Sequence, residues 1–187
     1  MPLTTVDAKP ALIVIDLQAG IAPHAAAEVI ENNTALTTAF RAAGHTVVLV
    51  NVVAGAPGRT EQNPAGGAGE IPAEATVLIE ALNATGSDIK VSKSTWGAFA
   101  STDLHAQLQA AGVTQVFVTG VATSIGAEST AREAHALGYH VVTVPDAMGD
   151  LAPEAHEAAV SLVFPRLSQV ASTAEVVAAL AGEKADA

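Results

Sequence analysis

Short continuous apolar runs alternate with helix-patterned segments along this 187-residue chain. Ala11–Ile15 (ALIVI) carries no polar residue on either alternate face, which predicts a strand buried on both sides. Helical periodicity follows from about His24 to Ala43 and stops at Gly44, a natural residue just past a helix end. Thr46–Val53 (TVVLVNVV) reads as the second strand, and further strands are expected at Asp88–Ser92, Val113–Thr119, Tyr139–Val144 and around Val170. Helices are expected over Ala73–Asn83, from a cap at Thr102 or Asp103 to Gly112, up to Gly138, over Pro153–Phe164 and over Thr173–Leu180. Five to six strands alternating with helices predict a three-layer α/β/α fold around a mostly parallel, doubly wound, Rossmann-like sheet. No internal repeat or second domain is visible, so residues 1–187 are expected to form one domain, with the tail GEKADA frayed.

In such sheets ligands bind beyond the carboxyl ends of the strands. Asp16, Asn51, Lys93, Gly120–Gly126 and Asp146 all fall at such places. Asp16 follows a run of branched apolar residues, where partial desolvation raises a carboxyl pKa and suits it to acid or base work; a helix cap or a turn is the plainer role. If Lys93 reaches Asp16, each charge offsets the other's burial, and the lysine can orient the acid or anchor an anionic substrate. A lysine after a strand is otherwise a solvated charge. The stretch VTGVATSIGAESTAREA, residues 118–134, turns from a strand into a helix, whose first N–H groups lack intrahelical partners and suit an anion. Gly126 either admits a ligand close to the main chain or allows tight helix–sheet packing.

Other chemistry finds less support. Ser124 and Ser129 are candidate nucleophiles, but no histidine has a visible claim to be their base. His24, His105, His135 and His156 lie in helical stretches and are expected at the surface. No clustered set of His and carboxylates suggests a metal. Trp96 and Phe99 could wall a pocket for a flat substrate, although Phe99 fits a core as well. The Gly- and Pro-rich loop Ala54–Gly69 is long enough to suggest a functional part. No cysteine is present, which removes disulfides, zinc–thiolate sites and thiol nucleophiles. Nineteen acidic against eight basic residues give a net charge of −11 and no basic patch, so no nucleic-acid partner is expected. No apolar run nears the roughly 18 residues of a membrane helix. MPLTTVDAKP shows no basic segment followed by an apolar one, and a cytoplasmic location is expected.

Three motifs together resemble a family. IVIDLQ at Ile13–Gln18, KSTWGAF at Lys93–Phe99 and GVATSIGAESTAREAHALGY at Gly120–Tyr139, followed by Asp146–Ala147, are similar to the isochorismatase-like hydrolases, also called the cysteine hydrolase superfamily. Most members use an Asp, a Lys and a Cys. The resemblance implies that Asp16 and Lys93 are the first two and that Gly126 occupies the cysteine position. It further implies a cis peptide at Val121–Ala122 and an oxyanion site made by the N–H groups of Ala122 and Gly126. A pocket for a small-molecule substrate is expected around Gln18, Trp96, Phe99, Thr123 and Ser124. The metal site of nicotinamidases has no match here, and no cofactor is expected. Isochorismatases proper also carry glycine at the cysteine position and hydrolyse a vinyl ether, which needs only a proton donor and water. The leading expectation is therefore a hydrolase of a small, in one version anionic, metabolite, with Asp16 as the acid and no covalent intermediate. Amide or imide hydrolysis with Asp16 as base is the alternative, and an inactive metabolite-binding or assembly protein is the third. A homo-oligomer is expected, with no membrane partner.

Overall fold

A computed structural model describes residues 3–67 and 69–183. Six strands form one parallel sheet in the order β3-β2-β1-β4-β5-β6. They are β1 (Pro10–Ile15), β2 (Thr46–Val52), β3 (Ile89–Lys93), β4 (Gln115–Val121), β5 (His140–Gly149) and β6 (Gln169–Val170). The helices are α1 (Ala27–Ala42), α2 (Leu104–Ala110), α3 (Glu128–Ala136), α4 (Pro153–Ala158), α5 (Phe164–Leu167) and α6 (Thr173–Glu183). β1 is central and buried along its whole length. Its Ala11, Ile13 and Ile15 join a core with Leu104 and Leu108 of α2, Ala131 and Ala134 of α3, and Phe164 of α5. Leu12 and Val14 join a second core with Leu36 and Phe40 of α1 and Val176 and Leu180 of α6. The two cores are the two faces of one sheet, which makes the three layers predicted from the alternation of strands with helices.

Strand order reverses between β1 and β4, the point where such sheets open a crevice at their carboxyl end. Gly120 lets the two strands meet there. Its φ is +100°, and a Cβ at this position would collide with the main chain of Ile15.

Several elements depart from the expected boundaries. The helix expected from His24 begins at Ala27; Ala22–His24 is a separate short turn, with Ala25 and Ala26 extended between the two. Ala73–Asn83 is not one helix but two short 3-10 turns, Ala73–Thr76 and Glu80–Leu82. Here the main chain pairs with the segment after β1 instead of with itself: Ala19 N–H donates to Val77 O (2.8 Å) and Ile79 N–H to Leu17 O (3.1 Å). β5 runs to Gly149, five residues past its expected end, through Pro145 and a register shift against β4. Pro153–Phe164 is interrupted by a wide π-helical turn at Ala159–Val163, just ahead of Pro165, which has no N–H to continue a regular helix. α2 starts as expected, with Leu104 N–H donating to the Thr102 hydroxyl (3.2 Å). α6 continues to Glu183, and the last four residues of the GEKADA tail lie outside the described residues.

Candidate active site

β1 ends at Ile15, and the next residue turns the chain sharply. Asp16 still donates its N–H to Val50 O (3.0 Å), but its φ of 52° lies in the left-handed region. Aspartate tolerates that region better than branched residues do. Lys93 is the last residue of β3, two strands away. Its ammonium lies 2.8 Å from Asp16 Oδ2, and the two side chains are 2% and 6% exposed. Sequence positions 16 and 93 therefore meet at the carboxyl end of the sheet.

The two oxygens of Asp16 are not equivalent. Oδ2 is held by Lys93, whereas Oδ1 is buried and has no hydrogen-bond partner among the described residues. Burial pushes the Asp16 carboxyl up to about 6, against the pull of the Lys93 charge and hydrogen bond. Lys93 is fully committed. Besides Asp16 it donates to Thr95 O (3.1 Å) and Trp96 O (3.0 Å), which occupies all three ammonium donors. Of the two roles expected for Lys93, orienting the acid or anchoring an anionic substrate, this arrangement favours the first.

The third part is the turn after β4. The Val121–Ala122 peptide is cis, and Thr123–Ala127 winds as a wide π-helical turn into α3. The Ala122 carbonyl accepts from Ile125 N–H (3.2 Å) and Ala127 N–H (3.1 Å). Gly126 packs so tightly that a Cβ there would lie 2.8 Å from the Ile15 Cγ2 methyl and 3.3 Å from Asp16 Oδ2. Thr130 ties this turn to the Lys93 loop. Its hydroxyl donates to Gly126 O (2.7 Å) and accepts from Ala98 N–H (3.2 Å). On the other side, Asp150 accepts from the Ser124 N–H (2.8 Å) and hydroxyl (2.7 Å), and these bonds hold its carboxyl below the usual range despite partial burial.

These parts share one cavity of about 410 Å³. Asp16, Lys93, Val121, Ala122, Gly126 and Trp96 line it. Four expected pocket residues do not. Gln18 is 1% exposed and binds main chain instead, with its amide nitrogen donating to Val52 O and Ala75 O and its oxygen accepting from Val52 N–H. Phe99 is in the core, stacked on Tyr139. Thr123 is buried and bonded to Gly149 O and His156, and the Ser124 hydroxyl is committed to Asp150. Asp146 and Asn51 also do other work. Asp146 binds the Thr173 N–H and hydroxyl at the start of α6, and Asn51 ties Ser92 to Thr76 O.

The cavity also contains residues that sequence reasoning missed. Asp150 lines it, displaced from the expected position by the greater length of β5. His24 lines it too, because Ala22–His24 forms its own turn rather than the start of α1. His105 and His156, expected at the surface, are half-buried, against Tyr139 and Thr123 respectively. Ala54, Gly55 and Ala56 bring the edge of the long loop to the cavity wall. Among the described residues no three His, Asp or Glu side chains gather in a way that could hold a metal ion.

The sequence and the fold are similar to those of other proteins. The isochorismatase family protein YwoC of Bacillus subtilis is 39% identical over 173 residues, 89% of this chain and 92% of that one. A more distant relative, the ureidoacrylate amidohydrolase RutB of Stutzerimonas stutzeri, is 29% identical over 185 residues, 82% of this chain and 75% of that one. The solved structure of an isochorismatase family protein from Burkholderia thailandensis superposes with a TM-score of 0.86 at 38% identity, covering 95% of this chain and 98% of that one. Residues 10–175 match the isochorismatase domain, and with these likenesses along nearly its full length the chain belongs to the isochorismatase family.

Proposed function

We propose that the chain hydrolyses a small amide or imide by direct attack of water, with Asp16 as the base and no covalent intermediate. The observation that carries this reading is the orphaned Asp16 Oδ1, buried beside the cavity while Oδ2 is held by Lys93. A buried acceptor left without a donor costs about 1–3 kcal/mol, and a bound water or substrate N–H removes that cost. With its carboxyl near 6, Asp16 is mostly ionised at neutral pH and close to the basicity at which general-base catalysis works best. Oδ1 takes a proton from water as the water oxygen bonds to the carbonyl carbon. The carbonyl electrons move onto its oxygen, toward the N–H groups of Ala122 and Gly126. Collapse breaks the C–N bond, and the proton on Asp16 passes to the leaving nitrogen. Gly126 takes the position that the family resemblance gives to cysteine, and a chain without cysteine forms no thioester. Amide hydrolysis is also what the name of the RutB relative states for that protein.

The vinyl ether reading is less well supported. A substrate of the isochorismate type carries carboxylates. Among the described residues no arginine lines the cavity, and its one lysine has no donor to spare. The test is a hydrolysis screen of amides, imides, lactams and vinyl ethers with wild type and Asp16→Asn side by side. We expect turnover within the amide group and a loss of about 10²–10⁴-fold in the variant. Turnover of vinyl ethers alone, or a variant within a factor of two of wild type, overturns the proposal. Binding without turnover of any class would leave the metabolite-binding reading.

A further inference from the structure

The cavity is charged in a way that its catalytic residues do not use. Lys93 and Asp16 neutralise each other, and Lys93 has no remaining donor. Asp150 lines the same cavity and is not paired with any lysine, arginine or histidine among the described residues. Its partners are neutral: the Ser124 N–H and hydroxyl and the Ala152 N–H. These bonds, with one from the Leu151 N–H, keep it ionised, and no cationic side chain among the described residues neutralises it. The other titratable group on the wall is His24, an exposed imidazole. Trp96 lines the cavity with 58% of its surface exposed, and an indole face attracts cations. The remaining wall is largely apolar, with Ile21, Val52, Ile125 and Leu151. The net charge of −11 draws cations and repels anions at long range. Asp16 Oδ1, buried and without a donor, is left for the attacking water beside the scissile group.

We propose that this cavity selects a small ligand with a cationic nitrogen, an ammonium or amidinium seated between Asp150 and Trp96, on a compact apolar body. Taken with the hydrolase reading, on which this substrate class rests, the substrate is an amide or imide that bears a positive charge. Its cationic end sits at Asp150 and its scissile group at Asp16. Carboxylates are excluded by the same charges.

The chain has one tryptophan, and it lines the cavity, so its fluorescence reports binding without any turnover. Benzamidinium, benzamide and benzoate have nearly the same shape and differ in charge, and each is titrated against wild type and Asp150→Asn at fixed ionic strength. We expect benzamidinium to bind wild type about three- to tenfold tighter than benzamide, as a partly exposed charge pair allows, and benzoate to bind weakest. In Asp150→Asn the ratio of benzamidinium to benzamide should fall toward one. Added salt should weaken benzamidinium alone in wild type, which tests the point even if the variant does not fold. Benzamidinium binding no tighter than benzamide, no binding of benzamidinium at all, or a ratio that survives both Asp150→Asn and high salt overturns the proposal. Protein that shows this binding order but hydrolyses nothing keeps the cation site and loses the hydrolase reading. Amide turnover without this order does the reverse.

Discussion

Asp16 has two fates that pH separates. If it acts as a base it must be ionised, so kcat/KM for an amide should rise as pH passes through about 6 and then level off. An acid role predicts the opposite limb, a fall through the same range, and a pH–rate profile on any substrate found by the screen distinguishes them. The same shift affects stability. The native carboxyl holds its proton more tightly than the unfolded one, about 6 against 3.8. The group's contribution is therefore fully present below the unfolded value and is lost as pH rises through the folded one, by roughly 2–3 kcal/mol in total. Asp16→Asn lacks this titration. Its melting temperature should therefore gain on that of wild type between about pH 4 and 6, which thermal melts across that range will show. Gly126 is constrained by space. Ala in a helical turn normally stabilises, but here its Cβ would press on the Ile15 methyl at 2.8 Å. We expect Gly126→Ala to lose about 1–3 kcal/mol by urea unfolding. A neutral or stabilising result would mean that Ile15 yields easily and that the position does not demand glycine.

Beside the Lys93 ammonium and the Asp150 carboxylate, neutral hydroxyl and amide groups hold the elements that carry the site. Thr130 on α3 bridges the Gly126 turn and the loop that bears Trp96. Thr130→Val keeps the shape but leaves the buried Ala98 N–H without its acceptor, at a cost of about 1–3 kcal/mol. Trp96 lies two residues away, so its emission should shift in the valine variant and return in Thr130→Ser. An unchanged spectrum in both would mean that the loop is held without this hydroxyl. Gln18 does similar work on the far side. Three hydrogen bonds from its amide join β2 to the Ala73–Thr76 turn. That explains why a glutamine in a motif that resembles a catalytic one is not at the cavity.

For the whole molecule, the switch in strand order between β1 and β4 makes the crevice, and the buried Asp16–Lys93 pair spans it from β1 to β3. Lys93→Met leaves Asp16 buried without a counter-charge. We expect a loss of about 3–5 kcal/mol near neutral pH, shrinking in acid where Asp16 takes up a proton. Urea unfolding at both pH values measures it, and an equal loss at both would show that packing, not charge, is what Lys93 provides. The alternation of apolar runs with helical segments was enough to predict the parallel sheet and its layers, because burial of both strand faces leaves few other arrangements. The place of Asp16, Lys93 and Gly126 near the carboxyl ends of strands was legible too, since hydrophobic pattern reveals those strands, and the motifs around them resemble a family. Tertiary structure decided what the pattern could not encode. It broke Ala73–Asn83 into two turns, because main-chain bonds to Leu17 and Ala19 outweighed local helix propensity. It carried β5 through Pro145 to place Asp150 rather than Asp146 at the cavity, because pairing with β4 continues there beyond a register shift. It spent every donor of Lys93 and left one oxygen of Asp16 without a partner, because hydrogen-bond satisfaction depends on contacts between segments far apart in the chain.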